Sequence, residues 1–196
     1  MPPRRTPGDI PLSDHIARVA ANLFYREGFH VVGVDRVAAK AEITKRTLYR
    51  YYPSKDELIA AALRRGARIA FPKDGPPRER ILGAFDGLIE LINTPSYHGC
   101  PYINAAAELT NRNHPGRVIV EQLTARRRRW FQDRVTELGV PHPEVLAEQL
   151  DVLFDGALAN AMKRVVDTPA IAAREAATIL LDAALAPMKR TNGRKP

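Results

Sequence analysis

Apolar residues recur at helical spacing along most of the chain, and no stretch alternates in the manner of a strand. Ile16, Ala20, Leu23 and Phe24 mark the inner face of a first helix. It starts after Ser13 and stops at Gly28, a residue suited to the turn past a helix end. Val34, Val37, Ala38 and Ala41 give a second, shorter helix with one inward face, followed by a tight turn over residues 41–44. Thr44 is a good N-cap for a third helix, in which Leu48 and Tyr52 point inward and which Pro53 ends. The run from Ser54 to Glu57 has the spacing of a capping box and opens a fourth helix reaching about residue 71.

The breaker cluster from Phe71 to Pro77 places a domain boundary there. Beyond it the pattern predicts a helix over 78–93, a loop over 94–101 and a short helix over 103–110. Three longer helices follow, opened by His114-Pro115, by Pro143 and by Thr168-Pro169, and ending near Leu138, Val166 and Ala186. Proline fits the first helical position because its missing N–H has no partner there anyway. The chain therefore reads as all-α. Residues 1–53 form a three-helix domain, 54–71 a connecting helix, and 72–196 a second helical domain.

Two of these helices are more apolar than one wetted side allows. Of the 17 residues from Ala170 to Ala186, 13 are hydrophobic, and the helix before it spreads apolar residues over more than one face. A homodimer with two helices from each chain in its interface accounts for that surplus.

Charge sharpens the picture. The chain carries a formal net charge of +8, of which residues 1–70 hold +6, residues 71–188 hold −2, and the last eight residues hold +4. The basic excess lies on the helix-turn-helix region, as an electrostatic footprint for DNA requires. The third helix presents Lys45, Arg46, Thr47, Tyr49, Arg50 and Tyr51 within about two turns, as a helix lying in the major groove does. Arg46 and Lys45 suit base edges. Thr44, Thr47, Tyr49 and Lys55 suit phosphates, and Arg50 and Tyr51 suit either.

At these residues the chain resembles the TetR family of transcriptional regulators. The matching text is Ala21-Asn-Leu-Phe24, Gly28-Phe29, Val34-Asp-Arg-Val-Ala38 and the unbroken run from Thr44 to Leu58; the segment from Gly99 to Leu109 is similar to one branch of that family. Gly33 stands where the family has a capping Thr, and Glu42 where it has a turn Gly. A positive φ at Glu42 would put strain on that turn. The resemblance makes 1–53 the helix-turn-helix DNA-binding domain and 72–196 the effector-binding and dimerisation domain. It implies a homodimer on a pseudo-palindromic operator in double-stranded DNA, repressing until an unknown small-molecule effector binds among the central helices. Polar and aromatic residues set in apolar surroundings are the pocket candidates: Tyr97, Cys100, Tyr102, Asn104, Glu108, Trp130, Phe154 and Asp155.

Other chemistry is less well supported by the pattern. A single cysteine allows no internal disulfide and fits a reducing compartment. The basic, proline-rich start does not read as a secretory signal, and no run approaches the ~18 apolar residues of a membrane span. The protein is expected to be soluble and cytoplasmic, with no membrane partner, no cofactor, and no metal or catalytic residues. Cys100 and His98 would carry a thiol sensor or an enzyme, but no third orienting group can be named. His98, Cys100, Glu108 and His114 lack the tight spacing of a zinc site. The four arginines 126–129 point in four directions on one helix and read as a charged outer face, paired in part with Glu121 or Asp133. A small-molecule binding dimer with an inactive helix-turn-helix is the alternative function.

Overall fold

A computed structural model describes residues 10–65, 69, 71–164 and 166–186. Every regular element among them is a helix: α1 (Leu12–Glu27), α2 (Val34–Lys40), α3 (Lys45–Tyr51), α4 (Lys55–Arg64), α5 (Pro77–Ile92), α6 (Pro101–Glu108), α7 (Pro115–Glu137), α8 (Pro143–Arg164) and α9 (Thr168–Leu185). Among the described residues no helix is long and apolar enough to cross a membrane. The starts follow the expected signals. Proline occupies the first turn of α5 and α6, α7 and α8 each begin on one, and Pro169 is the second residue of α9.

The helices gather into two compact units, and the chain enters each of them twice. The first holds the described residues up to 65 together with 98–125; the second holds 69–97 and 126 onward. In the first unit α1 packs along α4 and against α2, and α3 packs against α2. Ile16, Ala20 and Phe24 of α1 share one core with Val37, Leu48, Leu58 and Leu63. Ala105 and Leu109 from the α6 segment, and Ile119 and Val120 of α7, are buried in the same core. Residues 98–125, which the sequence reading groups with the C-terminal part, thus pack with the N-terminal helices.

In the second unit α9 packs on both α8 and α5. Its centre is aromatic: Phe85, Phe131 and Phe154 are fully buried and in mutual ring contact at 5.5–6.1 Å. Phe71 completes the cluster, with its ring 4.7 Å from Trp130 and 5.9 Å from Phe154.

Two expectations need correction. The fourth helix does not reach residue 71; α4 ends at Arg64 with Arg65 as its cap, residues 66–68 and 70 lie outside the described part, and Phe71 is not helical. Its ring is committed to the aromatic cluster of the second unit. The arginines of α7 are not simply an outer face either. Arg127 turns inward to Asp151 and Asp155, at 2.6 and 2.7 Å, and Arg128 pairs with Glu148 at 2.7 Å. These partners stand on α8, whereas the expected partners Glu121 and Asp133 lie on α7 itself.

Candidate nucleic-acid interface

The helix-turn-helix is built by local hydrogen bonds. At the end of α2 the Glu42 N–H donates to the Ala39 carbonyl at 3.1 Å and the Ile43 N–H to Ala38 at 3.0 Å. That pairing is a Schellman ending, which requires a left-handed residue between the two helices. Glu42 fills the position with φ +56°. Thr44 then caps α3, its hydroxyl accepting the Thr47 N–H at 3.1 Å and sharing a 2.9 Å hydrogen bond with the Thr47 hydroxyl. Leu48 is fully buried and anchors the helix. Tyr52 closes its far end by donating its hydroxyl to the Ser13 carbonyl at 2.9 Å. Burial first, and then the Asp14 carboxylate, pushes the Tyr52 hydroxyl above its usual pKa.

With the inner side pinned, the outer side of α3 is a row of groups that suit nucleic acid. Lys45, Arg46, Tyr49, Arg50 and Tyr51 are all exposed, as is Thr44 just before them, while Thr47 is half-buried under its cap. Arg46 and Arg50 are four residues apart and share a face. The Arg50 guanidinium lies 5.4 Å from the centre of the Tyr51 ring, a cation–π contact that limits its freedom. Lys55 begins α4, half-buried, with Nζ 3.4 Å from the His30 carbonyl oxygen that accepts from it. All eight sequence-predicted DNA residues therefore fall on α3, its cap and the start of α4.

The sequence reading missed two ion pairs on this surface. Arg36 of α2 pairs with both carboxylate oxygens of Glu27, at 2.8 and 2.9 Å. Lys45 holds both oxygens of Asp35 at 3.0 Å. The hydrogen bond to Asp35, and then its charge, raises the Lys45 ammonium above its ordinary pKa. Partners nine and ten residues apart, across a turn, leave no i,i+4 signature in the sequence.

The pocket candidates divide between the two units. In the first, Cys100 is the buried residue preceding α6, Tyr102 packs against the core, and Asn104 is half-buried on the same helix. Glu108 is engaged by the backbone, since its carboxylate accepts the N–H groups of Phe29 and His30 at 2.8 and 3.4 Å, in the turn after α1. The other end of α6 is tied to α1 as well. The Tyr25 hydroxyl donates to the Gly99 carbonyl at 2.8 Å and accepts the His98 N–H at 2.7 Å. In the second unit Tyr97 is half-buried, Trp130 and Phe154 belong to the aromatic cluster, and Asp155 is held by Arg127. Asp151, which the sequence did not single out, is the buried member of that charged group. Burial lifts its carboxyl above the usual range although Arg127 pulls it down.

Comparison with known proteins agrees with this geometry. A family model described as bacterial regulatory proteins of the tetR family matches residues 16–62, which run from α1 into α4. A TetR transcriptional regulator from Streptomyces avermitilis is 32% identical and superposes with a TM-score of 0.80, covering 89% of this chain and 98% of its own. The HTH-type transcriptional regulator YjdC of Escherichia coli is 21% identical over 149 residues, 72% of this chain and 78% of its own. CifR, a TetR family regulator solved with a 26-base-pair operator DNA, is 19% identical with a TM-score of 0.70, covering 89% of this chain and 97% of its own. At that identity the likeness is one of fold.

Proposed function

The chain belongs to the TetR family and is a DNA-binding transcriptional regulator, and we propose that it acts as a cytoplasmic, homodimeric repressor released from a pseudo-palindromic operator by a small-molecule effector. One observation carries the DNA part: α3 is pinned inward by Leu48 and Tyr52 while Lys45, Arg46, Tyr49, Arg50 and Tyr51 stay exposed. The operator complex of CifR, a protein of the same fold, supports placing such a helix on double-stranded DNA. Lys45 and Arg46, at the start of the helix, are assigned to base edges, since side chains there reach the groove floor first. Thr44, Thr47, Tyr49 and Lys55 are assigned to phosphates, which fix register without reading sequence. Arg50 and Tyr51 serve either.

The dimer assignment rests on α8 and α9. Val152 and Ile179 are 61% and 68% exposed, and Val145, Ile171 and Leu185 are exposed too. Such a concentration of large apolar side chains on two neighbouring helices fits a second copy of the chain. The effector is assigned to the central helices, with candidate contacts in either unit: Cys100, Tyr102 and Asn104 in the first, or Tyr97, Trp130, Phe154 and Asp155 in the second. Glu108 is now the weakest member of that set, because its carboxylate is already engaged by backbone N–H groups. An effector acts only through a different affinity for the DNA-bound and released states. No catalytic residue, cofactor or metal is part of this reading.

The experiment is a mobility shift on the DNA flanking the protein's own gene, over a salt series with unrelated DNA as competitor. A discrete complex that resists competitor and weakens steeply with salt supports the operator reading and supplies an effector assay. Sequence-blind binding to that DNA and to every duplex selected from a random pool would overturn it in favour of a ligand-binding dimer.

A further inference from the structure

Lys45 is the first residue of α3 and Asp35 the second residue of α2, and the ion pair between them joins the two helices of the helix-turn-helix at their starts. An ammonium has three N–H donors. One donates to Asp35 Oδ2 at 3.0 Å, with Oδ1 at the same distance and too close in angle to take an N–H of its own, which leaves two. The pair as a whole carries no net charge. A phosphate attracts a cation mainly through its charge, so a neutralised Lys45 is a poor phosphate ligand. A guanine edge offers the neutral acceptors O6 and N7. Against it, the remaining, oriented N–H groups still make hydrogen bonds.

We propose that Asp35 is a specificity-determining residue that acts through Lys45, turning it from a mobile phosphate-binding cation into an oriented donor for a base edge. The proposal rests on the reading that the start of α3 meets base edges. Both side chains are exposed, at 51% and 74%, so the pair is open to solvent and adds little to the stability of the fold.

The test compares the wild type with Asp35→Asn, Asp35→Glu, Lys45→Met and the double variant Asp35→Asn/Lys45→Met. Each is titrated by fluorescence anisotropy, over a salt series, against two duplexes. One is the tightest duplex that the wild type selects from a randomised pool, and the other is the same duplex scrambled. Asp35→Asn frees a cation, so binding to scrambled DNA should tighten by about two- to five-fold, the reach of an exposed ion pair. Its salt slope should steepen by about 0.9. The ratio of selected to scrambled affinity should fall, Asp35→Glu should restore it in part, and Lys45→Met should abolish every effect of Asp35→Asn. If Asp35→Asn shifts both duplexes equally, or acts undiminished in the Lys45→Met background, Asp35 is only a general repulsive charge and the proposal fails while Lys45 keeps its DNA role. If Lys45→Met leaves both duplexes unchanged, the assignment of Lys45 to DNA fails, and the proposal with it.

Discussion

Glu42 shows what a single residue contributes. The Schellman ending of α2 demands a left-handed backbone, and Glu42 adopts φ +56° to supply it. A side chain in that region costs about 1–2 kcal/mol. Glycine avoids the clash but loses about 0.5–1 kcal/mol of that gain through its freer unfolded chain. Glu42→Gly is therefore expected to stabilise the protein by about 0.5–1 kcal/mol, read as a thermal midpoint raised by roughly 1–4 °C. A lowered midpoint would mean that the Glu42 side chain makes a contact worth more than its backbone strain. At the DNA surface, Arg46 and Lys55 should separate by kind. Arg46→Ala should cost about 1–3 kcal/mol on the operator and relax preference at one base position. Lys55→Ala should weaken all duplexes alike and reduce the salt slope by about one. Equal, sequence-blind losses from both would remove Arg46 from base reading.

At the scale of elements, helix starts and the helix-turn-helix were legible because their signals are local. Gly28, Thr44, Ser54 and the first-turn prolines each act within four residues of the backbone groups they serve. The place of α6 was not legible, because it is set by hydrogen bonds between residues 73 to 79 apart: Tyr25 with Gly99 and His98, and Glu108 with Phe29 and His30. No periodicity within either segment announces such a partner, so Glu108 read as a polar group in apolar company. The inward turn of Arg127 was hidden for the same reason. Four consecutive arginines look alike until a partner helix brings an acid to one of them.

That pairing can be tested as a unit. Burial tends to lower the Arg127 guanidinium, but its hydrogen bonds and charge contacts with Asp151 and Asp155 outweigh this and hold it above its ordinary pKa. Arg127→Met would leave Asp151 buried without its cation, at a cost of about 3–5 kcal/mol. The sign with pH follows from the raised Asp151 carboxyl. The unfolded chain loses this proton first, near its ordinary value. Stability from this group is therefore fully present below that value and is lost as pH rises through the folded one. Without Arg127 the folded value rises further and the loss widens. Denaturation of Arg127→Met should thus show its largest deficit at neutral pH and a shrinking one toward about pH 4. Arg127→Met/Asp151→Leu should recover most of the loss at every pH. A deficit that is flat with pH would mean that the guanidinium matters for packing over Phe154, 5.4 Å away, more than for Asp151.

For the whole molecule the decisive question is the second copy. Ile171 and Ile179 lie eight residues apart on α9, and Val145 and Val152 seven apart on α8, so each pair forms one outward stripe. A lone protomer would leave both stripes in water, next to helices that pack tightly on their other side. Joining two copies there removes this surface and links two α3 helices in one molecule. The second α3 then binds at a high effective concentration rather than from free solution. Loss of that linkage should cost roughly 100-fold or more in operator affinity. Val152→Glu/Ile179→Glu introduces a charge on each stripe without touching the cores of either unit. Light scattering should find the wild type at twice the chain mass and the variant at the chain mass, with helical content unchanged. The variant should lose tight operator binding and keep only the weak, salt-sensitive association of a single unit. A wild type that is monomeric at micromolar concentration would overturn the interface. A variant that remains dimeric would move it away from these two stripes.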